Sequence, residues 1–201
     1  LSTATHINNK QKVYCDNPAW CFYDICTNPV YGLGNIVDPA LVDKYALYQI
    51  ARYCDELVDD GEGGLEPRFT CNLYLKTSTE AYKILKDMAT VFRGILYWVN
   101  GQVTAIQDSF KEPIYTFTSG NVINGDFVYE TTSQRLRRNQ IRVTWNDPKQ
   151  NYKQAVELVE DSDNIAETNR FTSYDTVAMG CTSKGQARRW GAWHYITNRT
   201  E

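Results

Sequence analysis

Residues 68–108 read RFTCNLYLKTSTEAYKILKDMATVFRGILYWVNGQVTAIQD, and the period of their apolar positions changes twice. Phe69, Cys71, Leu73 and Leu75 recur at every second residue, the spacing that puts side chains on one side of a strand. Thr77 and Glu80 then make a capping-box pair, and Ala81, Ile84, Leu85, Met88, Ala89 and Phe92 recur at three and four residues. This predicts an amphipathic helix to about Arg93, closed by Gly94. Residues 95–99 are rich in β-formers, Asn100-Gly101 is the favoured two-residue hairpin turn, and Val103 and Ala105 alternate with polar neighbours back to Gln107. The stretch predicts a β-α-β-β unit, and the fold class is therefore α+β, with helix and sheet mixed.

On the N-terminal side, Asp16-Asn17-Pro18 offers a cap followed by a helix-starting proline, so a short helix is expected over 19–27, ended by Asn28-Pro29 and the glycines at 32 and 34. Asp38-Pro39 repeats that signal. Leu41, Tyr45, Leu47, Tyr48, Ala51 and Cys54 follow at helical spacing, which predicts one helix over 38–57. Residues 55–66 hold six acids and three glycines and read as an exposed loop. On the C-terminal side, Pro113, Gly120 and Gly125 punctuate two expected short strands at 114–118 and 127–130. Ile141, Val143 and Trp145 alternate up to the turn at Asn146-Asp147-Pro148, with 152–159 as the expected neighbouring strand. A loop or helical turn at 161–166 leads to a strand over 171–178. Ser183 and Gln186 then open a last helix that carries Ala187, Trp190, Gly191 and Trp193. The expected division is a connecting segment with a short helix over 1–37, a helix plus β-α-β-β subdomain over 38–110, and a strand-rich subdomain ending in a helix over 111–201. The polar start at Leu1 and the end at Glu201 inside an expected helix read as cuts through a longer polypeptide.

Composition removes several classes of function. With 21 Lys plus Arg against 24 Asp plus Glu, the net charge of −3 provides no broad basic field for nucleic acid or anionic membranes. A chain of 201 residues buries about 70% of its unfolded surface and needs no staple of disulfide or metal. The six cysteines contain no CxxC pair and the two histidines complete no zinc set, so the thiols read as small core hydrophobes made in a reducing cytoplasm. Asp59-Asp60-Gly61-Glu62-Gly63-Gly64 lacks the alternating ligands and distal glutamate of a calcium loop, and no phosphate-binding glycine loop occurs. No cofactor, metal or catalytic residue is assigned. His194 lies deep in the last helix beside Trp193, where packing is the expected role. Trp20, Tyr23, Tyr45, Tyr48, Tyr82, Trp98, Trp145, Trp190 and Trp193 fall mostly on apolar faces, and core packing is expected for most of them.

Two sets of residues carry function-bearing alternatives. Arg135, Arg137 and Arg138, with Arg142 nearby, form the one basic cluster, read either as a solvated edge or as a contact to an acidic subunit surface. Glu157 or Glu160 facing another carboxylate across a cleft would suit a wall-degrading hydrolase, and exposed Trp or Tyr platforms would suit a carbohydrate-binding module.

Six runs, taken in order, resemble the tail tip attachment protein family of lambda-like siphophages, also called host specificity protein J. They are Asn28-Pro29-Val30-Tyr31-Gly32-Leu33-Gly34, Tyr53-Cys54-Asp55, Gly63-Gly64-Leu65-Glu66-Pro67-Arg68, Trp145-Asn146-Asp147-Pro148, Glu157-Leu158-Val159-Glu160-Asp161, and Gly180-Cys181-Thr182-Ser183-Lys184-Gly185-Gln186-Ala187. The resemblance spans about 17–201. It implies a non-enzymatic piece of a bacteriophage or prophage tail tip hub, with modules like those of baseplate hubs, including barrels. It further implies a homotrimer in the full-length protein, contacts to other tail tip and tail tube proteins, and a host outer-membrane receptor bound through a region outside this chain. The implied location is the virion tail tip after synthesis in the bacterial cytoplasm. A net acidic wall also suits a channel that passes DNA without holding it, because each basic contact to phosphate adds affinity. On this reading Arg135, Arg137 and Arg138 face another subunit or tail protein and do not line the channel.

Overall fold

Asn17 places a short side-chain oxygen where the first helix needs an acceptor, and a computed structural model shows it accepting from Ala19 N ahead of α1 (Pro18–Thr27). The structure describes residues 14–74, 81–99, 102–109, 112–129 and 137–200. The Asn17 carboxamide also donates to Ala51 O and Asp55 Oδ1, at 2.9 and 2.8 Å, so the cap of α1 fastens it to α2 (Lys44–Asp55). The single helix expected over 38–57 is divided. Asp38 caps one 3-10 turn, Pro39–Leu41, and Asp43 then caps α2 by accepting from Tyr45 N and Ala46 N. The division comes from Val42, buried against Val103 of the later hairpin, with the next amide, Asp43 N, donating to Val103 O at 3.1 Å.

The acidic stretch expected as a loop contains a small antiparallel hairpin, β1 (Leu57–Asp59) with β2 (Leu65–Pro67). Its turn stays exposed. Asp60 accepts from Glu62 N and Gly64 N, which folds the glycine-rich tip back on itself. The strand expected from Phe69 is not a strand: residues 69–74 lie outside any sheet. Their burial nonetheless alternates, with Phe69 and Cys71 in the core and Leu73 exposed. Backbone pairing is divided among three segments, Phe69 N to Cys54 O, Cys71 N to Asp16 O and Asn72 N to Gly180 O, so no single partner strand exists. Leu75, Thr77 and Glu80 lie outside the described residues, as does the Asn100-Gly101 turn.

The helix expected next is α3 (Ala81–Val91), followed by the antiparallel pair β3 (Gly94–Val99) and β4 (Gln102–Gln107). Phe22 from α1, Leu47 from α2, Phe69, Met88 from α3, Phe92 and Val103 from β4 meet in one cluster, with Phe22 edge-on to Phe92 at 6.2 Å. Burying each of these side chains is worth about 1.5–3 kcal/mol.

A second cluster forms on the later elements. β5 (Gln140–Asp147) is the central strand, antiparallel to β6 (Lys153–Glu160) and parallel to β7 (Ser173–Val177), with α4 (Ser162–Thr168) in the crossover. Ile141, Val143 and Trp145 of β5 pack with Ala187 and Trp190 of α5 (Lys184–Thr200), as their alternation predicts. Gly191 permits the close approach, since a Cβ there would lie 2.7 Å from Val159 Cγ2. Gly180 has φ +63, and a Cβ on it would meet Cys71 Sγ at 2.9 Å. Ser183 and Gln186 form one half of a capping box: Ser183 Oγ accepts from Gln186 N, while the Gln186 side chain turns to residue 70. There it accepts from Thr70 N and Oγ1 and donates to Thr70 O, acting as the strand neighbour that this segment lacks.

The strands expected at 114–118 and 127–130 are absent; residue 130 lies outside the described set, and the described part, 112–129, holds only the 3-10 turn Ile123–Gly125. Ile114, Tyr115, Phe117, Val128 and Tyr129 are all exposed. Among the described residues the fold is α+β with three small sheets and no barrel. No described helix is long and apolar enough to cross a membrane.

Candidate functional site

Arg137 and Arg138 precede β5 and are not part of it; Arg135 lies outside the described residues. Arg137 O accepts from Thr172 Oγ1 at 2.8 Å, beside the buried Asn139. The Asn139 carboxamide accepts from Thr172 N and donates to Asn164 Oδ1 and Arg170 O, joining the start of β5, α4 and the approach to β7. An open cavity of about 490 Å³ lies against these residues, with the guanidinium side chains of Arg137 and Arg170 at its wall. Arg142 separates from this group: it pairs with Asp175 at 2.6 Å on the sheet face away from α5.

The carboxylates considered for hydrolysis are not brought to one site. Glu157 sits on the α5 side of β6 and is paired with Arg188 at 2.6 Å, whereas Glu160, three residues on, belongs to the opposite face and accepts from Gln140. Asp161 caps α4 and lies 3.6 Å from Arg199. In the acidic hairpin tip the Asp60 carboxyl is held below its ordinary range by the amides of Glu62 and Gly64. Among the described residues no cluster of three His, Cys, Asp or Glu could hold a metal ion. The six cysteines are free, and burial raises Cys71 and Cys181 to about 11, so their thiols stay protonated at neutral pH. His194 packs against Trp190, Trp193 and Tyr174; burial, then the nearby Arg93 charge, lowers its pKa. The aromatics divide: Trp20, Trp145 and Trp190 are core residues, while Tyr45, Tyr82 and Trp98 are exposed.

A constellation invisible in linear sequence lies where α2, β2, the end of α3 and α5 converge. Arg68, Arg93 and Arg189 border a cavity of about 620 Å³ that Asp108 and Trp193 also line. Arg68 is paired with Glu56 at 2.7 Å and stacked on Tyr53. Arg189 is 2.8 Å from Glu66 and donates to Asp59 O and Arg68 O. Glu66 also accepts from Ser183 Oγ, so this pair fastens the hairpin to the start of α5. Arg93 differs: no described ion pair includes it, its Nη2 donates to Arg189 O at 2.9 Å, and its guanidinium lies 5.1 Å from Phe69 and 5.6 Å from Trp193. Burial lowers its pKa to about 10, with the charge still fully present at neutral pH. Its backbone has φ +56, a conformation that costs a residue with a Cβ about 1–2 kcal/mol. These arginines stand at 68, 93 and 189, so no spacing rule finds them. The only sequence signal is a long cation, not a glycine, in the turn that closes α3.

Comparison with known proteins addresses what this assembly belongs to. A family model described as putative phage tail protein matches residues 80–201, from α3 through α5. The chain belongs to that phage tail protein family. Tip attachment protein J of Escherichia phage SECphi27 is 38% identical over 188 residues, covering 94% of this chain and 16% of that relative. Tip attachment protein J of Escherichia phage SECphi4 is 36% identical over 192 residues, covering 95% of this chain and 17% of that relative. The chain thus spans about a sixth of the length of these curated relatives. The phage tail family match includes the exposed segment 112–129 and the whole β6-β5-β7 sheet with its covering helix.

Proposed function

We infer that this chain is a structural segment of a phage tail tip protein, part of the polypeptide that connects the tail tube with host attachment and genome delivery. The observation that carries the reading is co-linear identity of 36–38% with two tip attachment proteins across 94–95% of the chain. The exposed apolar side chains of 112–129 support it, because a subunit that works inside a protein assembly presents such surface to its neighbours. In this role the full-length protein is a homotrimer at the virion tail tip. It contacts other tail tip and tail tube proteins, binds a host outer-membrane receptor through a region outside this chain, performs no catalysis here, and is made in the bacterial cytoplasm. Arg135, Arg137 and Arg138 contact an acidic surface of a neighbouring subunit or tail protein. Changing all three to Glu weakens tail assembly while the isolated chain keeps its unfolding midpoint; unaltered assembly removes that contact from the account.

Immunogold labelling of purified virions, with antibody raised against the 201-residue chain, tests the reading. Gold at the distal end of the tail is expected. Gold absent from particles, with the antigen recovered only as free protein, overturns it.

A further inference from the structure

The cavity bordered by Arg93 is built around a cation with spare donors. Arg68 and Arg189 each face a carboxylate of their own, Glu56 and Glu66, so their charges are matched within the chain. Arg93 has one described hydrogen bond, to Arg189 O, and its Nε is buried without a partner. A guanidinium carries five N–H donors, so most of its capacity is unused among the described residues. The resident acid in the cavity, Asp108, is close enough to act on the Arg93 charge but spends one oxygen on Trp193 Nε1 at 2.7 Å and makes no described ion pair with Arg93. The remaining walls are mixed: the Trp193 indole, Ala192 and Ile196 form an apolar side, and Tyr53, Ser109 and Thr197 complete the lining.

The geometry points to a recognition pocket for one glutamate side chain of a neighbouring tail protein, whose carboxylate meets the Arg93 guanidinium while its methylene stem lies along Trp193 and Ile196. One positive charge beside the Asp108 carboxylate favours a monoanion over a dianion. A phosphate dianion would bring a second negative charge toward Asp108, and it has no apolar stem to fill the Trp193 side. A cavity of about 620 Å³ admits a side chain and its flanking backbone. Arg93 also explains its own position in the turn after α3: glycine would relieve the backbone but would supply no guanidinium between Phe69 and Trp193. The inference rests on the tail tip reading only for the source of the glutamate. The pocket is tested on the chain alone, so its failure and the failure of that reading are separate results.

The test is a titration of the 15N-labelled 201-residue chain with N-acetylglutamate α-amide at fixed ionic strength, following the Trp193 indole N–H. N-acetylglutamine α-amide serves as the uncharged control and inorganic phosphate as the competing anion. A saturating shift of the Trp193 signal is expected with the glutamate probe and not with the glutamine control. Arg93→Met keeps an unbranched apolar stem in the aromatic slot and removes the charge, and should weaken the glutamate response about tenfold to a hundredfold. Asp108→Asn keeps an acceptor for the indole and removes the resident charge, and should bind the probe several-fold more tightly. No saturation in either the parent or Asp108→Asn overturns the pocket, as does an Arg93→Met chain that binds like the parent. Tighter binding of phosphate than of the glutamate probe overturns the assignment to a carboxylate.

Discussion

Segments 140–147 and 114–118 both read as strands, and only the first becomes one. In β5, Ile141, Val143 and Trp145 face α5, and every backbone position has a neighbour in β6 or β7 across most of its length. Ile114, Tyr115 and Phe117 include both parities of an alternation, and all three are exposed, Ile114 completely. Strand propensity is a preference for a pleated, half-buried surface, so it is realised only where a partner edge and a covering layer exist. The difference teaches that the chain's packed part and its exposed apolar part have separate jobs: one holds the fold and the other is available to neighbours.

The largest effect belongs to the packed side. Trp190→Ala should cost about 3–5 kcal/mol in denaturant unfolding, because it empties the space between α5 and β5, whereas Phe117→Ala should change stability by less than about 0.5 kcal/mol. Equal losses would erase the contrast. A smaller loss tests the seam between the two hydrophobic clusters. Gln186→Ala leaves Thr70 N and O without their partners and should lower stability by about 1–3 kcal/mol, read from the same unfolding curves. On the exposed side, replacing Ile114 and Phe117 together by Ser should leave the unfolding midpoint unchanged and reduce incorporation into tails, measured by quantitative blotting of purified particles. Normal incorporation would show that the segment is not a contact.

The smallest effect is a pH dependence centred on His194. Its pKa is lowered in the folded chain, so the stability that this histidine contributes is present above its unfolded value of about 6.5 and is lost as pH falls through the lower folded value. Thermal unfolding of the parent should therefore weaken from pH 7.5 toward 5 more than that of His194→Gln. Parallel curves would remove the histidine from the account.

Periodicity located α3 and β5, each of which buries one continuous face, while capping signals located α1 and α5 and the turn dipeptide located the β3–β4 pair. It failed where burial and pairing come from different partners. Phe69 and Cys71 alternate into the core as a strand would, yet their amides go to Cys54 and Asp16 on α2 and ahead of α1. Val42 interrupted an otherwise regular helical pattern for a contact 61 positions away in the chain, at Val103. The candidate contact at Arg137 and Arg138 was visible as a local run of charge. The Arg93 cavity was not, since its three guanidiniums come from separate elements and only the tertiary fold makes them neighbours.

Amide hydrogen exchange, compared between the isolated chain and purified tails, tests most directly the claim that this is a tail tip segment with an exposed contact surface. The account predicts that 112–129 exchanges rapidly in the isolated chain and becomes protected in tails, while β5 is protected in both. Equal, rapid exchange of 112–129 in the two samples would contradict it.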